Sequence, residues 1–221
     1  KRLPGKMLIK IGKFSIIDWV IYRLKKSNTL RKIILATSTS SENKIFYEIA
    51  KKWDVEIFFG DENNVLSRFI KAADFFNVKT IVRICADNPF IDPYQINFLV
   101  DFFESKKCDY ALNNQNYLGN GFADGFGGEI FHAETLRTVQ KLTTSKSDLE
   151  HVTLYLKNHK SNFDVKTYQA PKELRYPSFK FDIDEPKDLE KIKSLIKMGV
   201  NIDSEASKII DIYLKYITKT K

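Results

Sequence analysis

The sequence predicts an α/β protein, a three-layer α/β/α sandwich around a mostly parallel sheet. Three observations predict it. Short apolar runs alternate with segments whose apolar residues recur at helical spacing. The runs at 32–37 and 80–85 are nearly continuous in apolar residues, as strands covered on both faces require. Strand and helix signals follow one another in the rhythm of parallel βαβ units joined by right-handed crossovers.

Ser15 is placed to cap a helix carrying Ile16, Ile17, Val20, Ile21 and Leu24. Residues 32–37 read as a buried strand, 42–53 as a helix through Ile45, Phe46, Ile49 and Ala50, and 55–59 as a strand stopping at Gly60. Asn64 opens a helix with Val65, Leu66, Phe69, Ile70 and Ala73. Residues 80–85 are a strand, and Asp92-Pro93 gives the cap and first position of the next helix. Beyond Cys108 the rhythm loosens. A strand at 109–113 precedes an Asn- and Gly-rich stretch, 114–128, too long for a turn. A strand at 129–131, helices at 133–142 and 148–158, and strands at 163–169 and 178–184 follow. Pro186 opens a helix, and a last one covers 207–217.

With 221 residues, 43% hydrophobic and 29% charged, the chain is long enough for one substantial domain. No run approaches 18 apolar residues; the best candidate, 14–22, is cut by Asp18, so no membrane span is expected. The opening Lys-Arg-Leu-Pro-Gly-Lys has no apolar signal core. Cys85 and Cys108 fit no metal or redox spacing and read as buried thiols of a cytoplasmic protein. A disulfide scaffold, a zinc finger and an integral membrane protein are thereby excluded. The net charge of +8 suits a polyanionic partner. The basic residues are scattered, without aromatic interleaving, which favours a small polyanion such as a nucleoside triphosphate over nucleic acid.

Three stretches carry chemistry. Arg2-Leu3-Pro4-Gly5-Lys6 sets two cations about a Pro-Gly turn, where glycine lets an anion approach the backbone and the cations meet its oxygens. The plainer alternative is a basic terminus with a turn. Asp87 follows a buried strand at the carboxyl edge of the sheet, where a hard oxygen ligand suits Mg²⁺ held together with substrate phosphates; the alternative is a turn cap before Pro89. Asp92 is assigned to capping. Asp182 and Asp184, two apart, share one face of an extended segment, so one could supply a second metal ligand. Glu185 and Asp188 read as helix caps.

Taken together and in order, Arg2-Leu3-Pro4-Gly5-Lys6, Leu35-Ala36-Thr37-Ser38, Gly60-Asp61 with Val65-Leu66-Ser67-Arg68-Phe69, the 83–93 stretch, Asp124-Gly125-Phe126, Glu150-His151-Val152-Thr153 and Asp184-Glu185-Pro186-Lys187-Asp188-Leu189 resemble the cytidylyltransferase family. The resemblance is to its spore-coat polysaccharide type, which is similar to the synthetases of CMP-neuraminate and CMP-3-deoxy-octulosonate. It implies a Rossmann-like sheet of the nucleotide-diphospho-sugar transferase type. The family's first strand and half of its signature loop, expected ahead of Arg2, are not in this sequence.

The resemblance further implies transfer of CMP from CTP to an acidic or phosphorylated sugar-type acceptor in surface glycan biosynthesis, with Mg²⁺ as cofactor, in a cytoplasmic homodimer. Residues 1–200 would form the nucleotide-binding domain with an acceptor-binding insertion around 113–160, and 201–221 a C-terminal helix. Arg2, Lys6 and Asp87 take the catalytic roles. Leu3, Gly5, Lys6, Ala36, Thr37, Ser38, Gly60, Arg68 and Ala86 would bind the nucleotide, and Asp87 and Asp184 would hold the metal. Asp124, Glu129, Glu150 and His151 fall where the acceptor is received. His151 reads equally as a helix-packing residue, with Glu150 a partner in either case; His132 and His159 read as surface or packing residues. The stretch Phe126-Gly127-Gly128-Glu129 departs from the family pattern by placing glycine where a second acid often stands. Two other readings remain. The Asp182-Ile183-Asp184 spacing is that of a metal-dependent sugar-nucleotide glycosyltransferase, and a non-catalytic nucleotide-binding subunit would carry the same fold.

Overall fold

The computed structural model describes residues 3–219. Gly5 takes a left-handed φ of 62°, a conformation open to glycine, and so turns the chain into a 3-10 turn, Lys6–Leu8. A short antiparallel hairpin follows, β1 (Lys10–Ile11) and β2 (Phe14–Ser15). Ser15 starts α1 (Ile16–Leu24) by a capping box: the Asp18 N–H donates to Ser15 Oγ at 3.3 Å and the Ser15 N–H to Asp18 Oδ2 at 3.0 Å.

The α/β alternation then runs as read. β3 (Ile34–Ser38) leads through a 3-10 turn at Ser41–Lys44 into α2 (Ile45–Trp53), then β4 (Glu56–Gly60), α3 (Val65–Phe75), β5 (Thr80–Arg83) and α4 (Pro93–Lys106). Asn64 caps α3 by accepting from the Ser67 N–H. After these come β6 (Tyr110–Leu112), β7 (Glu129–His132), α5 (Ala133–Leu142), α6 (Lys146–Glu150), α7 (Leu154–Asn158), β8 (Val165–Lys166), α8 (Pro186–Lys197) and α9 (Ala206–Lys219). No described helix is long and apolar enough to cross a membrane.

The expected mostly parallel sheet is met in part: the strands fall into separate sheets, and within the larger one a single strand is reversed. Among the described residues β3 and β4 form a parallel pair, from Ile34 opposite Glu56 to Ser38 opposite Gly60. A separate four-stranded sheet has the order β5-β7-β6-β8, in which β7 runs against both neighbours. The cause is the connection between β6 and β7. It contains no crossover helix of the kind that usually carries the chain back for a parallel pairing, and the chain instead returns antiparallel beside β6. The connection is tied from inside by its asparagines. Asn113 Nδ2 donates to the Gln95 carbonyl and to Tyr168 Oη, while its Oδ1 accepts from the Gly128 N–H. Asn120 Oδ1 accepts from the N–H groups of Tyr117 and Phe122.

The four-stranded sheet is covered on both faces, and the two-residue period of its strands decides which side chain goes where. Ile81, Tyr110, Leu112 and Phe131 join Leu66 and Ile70 of α3, Leu136 and Val139 of α5 and Leu156 of α7. Their neighbours Val82, Ala111 and Ile130 face Leu99 and Phe103 of α4. A further apolar cluster joins Ile16 and Trp19 of α1 to Phe90, Phe126, Phe181, Ile183 and the inner faces of α8 and α9.

Three element readings change. Residues 178–184 are extended but form no ladder, because their hydrogen bonds go to two different segments: Phe181 N–H donates to the Asp124 carbonyl and Ile183 N–H to that of Asp87, both near 3.0 Å. The single helix expected at 148–158 breaks into α6 and α7, since Val152 is buried in the core and Thr153 is drawn to a buried carboxylate. Of the strand expected at 163–169 only β8 pairs.

Candidate active site

Gly5 and the 3-10 turn after it aim Lys6 into the middle of the molecule's acidic loops. Its ammonium donates to Asp87 Oδ2 at 2.8 Å, to the Ile183 carbonyl at 2.7 Å and to Asp184 Oδ1 at 3.3 Å. Two acids from stretches almost a hundred residues apart therefore converge on one cation, at the carboxyl edge of β5. The backbone bond from Ile183 to Asp87 fixes that convergence. Burial opposes the charge on Lys6, but Asp87 and Asp184 outweigh it and hold the amine above its ordinary pKa.

Two more carboxyls surround this centre. Asp124 sits in the loop before β7, and burial, reinforced by the charge of Asp182, lifts its carboxyl to about 7. Burial and the neighbouring Asp184 also raise Asp182, whose Oδ1 is buried without a donor among the described residues. Burial works against Asp184 as well, yet the hydrogen bond from Asp182 and the Lys6 ammonium hold it low. Lys180 Nζ lies 3.2 Å from Asp182 Oδ2. Four carboxyls thus face two ammonium groups, with one buried oxygen unsatisfied. Asp87 and Asp184 are hard oxygen donors that could hold a divalent cation together with substrate and water. Both now pair with Lys6, and among the described residues no three acidic, histidine or cysteine side chains are arranged as a metal site by themselves.

The residues expected at the base lie at the ends of β3 and β4. Ala36 and Thr37 are half-buried, and Ser38, buried, accepts from Asn43 Nδ2 at 2.7 Å and pairs in register with Gly60. Arg68, one turn into α3, donates from Nη1 to the Asp61 carbonyl at 2.7 Å, while its buried Nε has no partner among the described residues. Leu3 packs on the apolar cluster below Lys6, and Ala86 is half-buried beside Asp87. Arg2 lies outside the described residues.

The acceptor residues are divided by the structure. Asp124 belongs to the carboxyl cluster. Glu150 and His151 are exposed at the end of α6, and no side-chain pair joins them. Glu129 requires a correction: it is 1% exposed and serves as an interior counter-ion, accepting from Arg83 on Oε2 and from Lys157, Thr153 and Tyr110 on Oε1, so burial keeps its carboxylate from meeting an acceptor. Gly127 explains the departure from the family pattern. A Cβ there would collide with the Asn113 carbonyl and side-chain oxygen, which leaves no room for an acid.

Sequence reasoning missed the Ile183 carbonyl, a backbone group no residue type announces, and the buried Arg83–Glu129–Lys157 cluster, whose members are scattered along the chain. Cys85 is half-buried rather than buried, with its thiol pushed up to about 11 chiefly by burial, whereas Cys108 is 2% exposed as expected; both are free. A surface cleft of about 400 Å³ opens at the other end of β5, lined by Asp74, Lys79, His132 and Arg137, and holds none of the expected residues.

Comparison with known proteins bears on this geometry. The cytidylyltransferase family model matches residues 1–212. The chain is 31% identical over 215 residues to the spore coat polysaccharide biosynthesis protein SpsF of Bacillus subtilis, covering 95% of this chain and 87% of that one. A cytidylyltransferase structure from Leptospira borgpetersenii superposes with a TM-score of 0.86 at 27% identity, over 100% of this chain and 90% of the other. CMP:2-keto-3-deoxy-manno-octonic acid synthetase, solved with CTP, shares the fold at a TM-score of 0.64 and 13% identity, over 90% and 95% of the two chains. The chain with Lys6 set between Asp87 and Asp184 belongs to the cytidylyltransferase family.

Proposed function

We propose that the protein transfers CMP from CTP to an acidic or phosphorylated sugar-type acceptor, releasing pyrophosphate, in surface polysaccharide biosynthesis. An oxygen of the acceptor attacks the α-phosphorus, the bond to the bridging oxygen breaks, and pyrophosphate leaves with that bond's electrons; a hydroxyl acceptor releases its proton to solvent. The single observation that carries the reading is the convergence of Asp87 and Asp184 on Lys6.

Little covalent work falls to the chain. It must hold the reacting oxygens in line and counter the charge that grows on the phosphates. Lys6, with Arg2 beside it in sequence, takes the triphosphate. Ala36, Thr37, Ser38, Gly60 and Arg68 line the base side, where the buried unpaired Arg68 Nε is a donor ready for a ligand. Mg²⁺, held by Asp87 and Asp184, supplies neutralisation of phosphate charge when bound. Asp124, Glu150 and His151 remain as acceptor-side residues. We assign the protein to the cytoplasm as a homodimer.

The test is pyrophosphate release from CTP in MgCl₂ with a panel of sugar acids and sugar phosphates. Turnover with a member of the panel, abolished by chelation, supports the reading. Calorimetric binding of CTP without turnover would identify a non-catalytic nucleotide-binding protein, and absence of CTP binding would overturn the assignment.

A further inference from the structure

Four residues before Asp87 stands a second charged cluster that the chemistry above leaves unused. Arg83 and Glu129 are direct cross-strand partners, so both side chains rise from the same face of the sheet. The Glu129 carboxylate accepts from Arg83 Nη1, from Lys157 Nζ at 2.8 Å, from Thr153 Oγ1 at 2.8 Å and from Tyr110 Oη. It is 1% exposed, so these partners rather than solvent satisfy it. Two cations nevertheless share this one anion, which leaves a surplus positive charge at the edge of the interior, where a second anion would neutralise it.

The surplus has donors to offer. Among the described residues Glu129 is the only acceptor found for the guanidinium of Arg83 and for the ammonium of Lys157. Their side chains are 22% and 20% exposed, so the pair is not sealed from solvent. The site lies beside the carboxyl centre: the Cys85 thiol feels the charges of Arg83, Glu129, Asp87 and Asp124 together. A planar guanidinium next to an ammonium matches the oxygens of a carboxylate or a phosphate.

We propose that Arg83 and Lys157, aimed by the buried carboxylate of Glu129, receive the anionic group of the acceptor, a sugar carboxylate or phosphate. This rests on the reading of the chain as a nucleotidyltransferase with an acidic acceptor. Arg83 and Lys157 are the contacting residues; Glu129 is a positioning residue.

The full chain, saturated with a non-hydrolysable CTP analogue and Mg²⁺ so that the triphosphate site is filled, is titrated separately with glucuronate and with inorganic phosphate. The Arg83 side-chain Nε–Hε resonance, identified by its loss in Arg83→Lys, is followed by NMR. A saturable shift with one of the two anions is expected, and which anion produces it distinguishes carboxylate from phosphate. In Lys157→Gln, which keeps a hydrogen bond to Glu129, the dissociation constant should rise roughly tenfold or more while analogue affinity is unchanged. No shift with either anion, or a shift equally strong in Lys157→Gln, overturns the proposal. Failure of the analogue itself to bind would strike the nucleotidyltransferase reading instead.

Discussion

Lys6 Nζ lies 2.8 Å from Asp87 Oδ2, a contact between residues 81 positions apart that joins the opening turn to the end of β5. In the proposed reaction this cation stands where the triphosphate and a divalent ion would be handled. Replacing Lys6 with Ala, or Asp87 with Asn, should each lower turnover by about 10²–10³-fold, the usual cost of removing one preorganised charge from a transition state. Pyrophosphate release measures it, with far-UV circular dichroism confirming that the fold survives. Wild-type turnover in Asp87→Asn would disprove the metal assignment.

Asp92 joins the starts of two helices that are remote in sequence. Its Oδ1 accepts from the Tyr94 and Gln95 N–H groups at the start of α4, and its Oδ2 from the Ala206 N–H at the start of α9, at 3.0 Å. One lost cap costs about 1 kcal/mol. Asp92→Ala should therefore destabilise by about 2–3 kcal/mol, clearly more than Asn64→Ala, which removes a single cap. Urea unfolding of the two variants side by side would settle the ranking.

Gly127 is fixed by space. Gly127→Ala forces a methyl group against the Asn113 carbonyl, and the strap that Asn113 ties has to shift. A loss of about 1–3 kcal/mol is expected from such overpacking. The melting temperature reads it, and an unchanged value would show that the loop relaxes freely.

Glu129 gives stability an acid limb. Burial alone would raise its carboxyl, but Arg83 and then Lys157 prevail and hold it at about 2, against an ordinary 4.5. A depressed pKa contributes stability that is fully present above the unfolded value and disappears as pH falls through the folded one. Between about pH 5 and pH 2 this group should account for a decline on the order of 3 kcal/mol. Urea midpoints across that range should fall less steeply in Glu129→Gln, which will also be less stable at pH 7 because Arg83 and Lys157 lose their anion. Parallel acid limbs in the two proteins would refute the assignment.

Much of the molecule was legible in its local patterns. Ser15, Asn64 and Asp92 announce helix starts because capping depends on one side chain and the next few N–H groups. The strands β3, β4 and β5 announce themselves through short, nearly continuous apolar runs. Elements whose hydrogen bonds go elsewhere were misread. The 178–184 segment has the composition of a strand, but its partners are Asp124 and Asp87 rather than one neighbouring strand. Residues 148–158 have helical spacing, but Thr153 answers to Glu129.

The amino-acid order alone determined the α/β class, the capped helices and the opening cations with the acids after β5 and before α8, since each depends on residues within a turn or two of one another. Tertiary structure decided that Asp87 and Asp184 meet on Lys6, that β7 runs against its neighbours, and that Glu129 is an interior counter-ion rather than a substrate ligand. Those outcomes depend on which distant side chains share a low-dielectric interior, and a charge buried there takes its role from the partners that neutralise it.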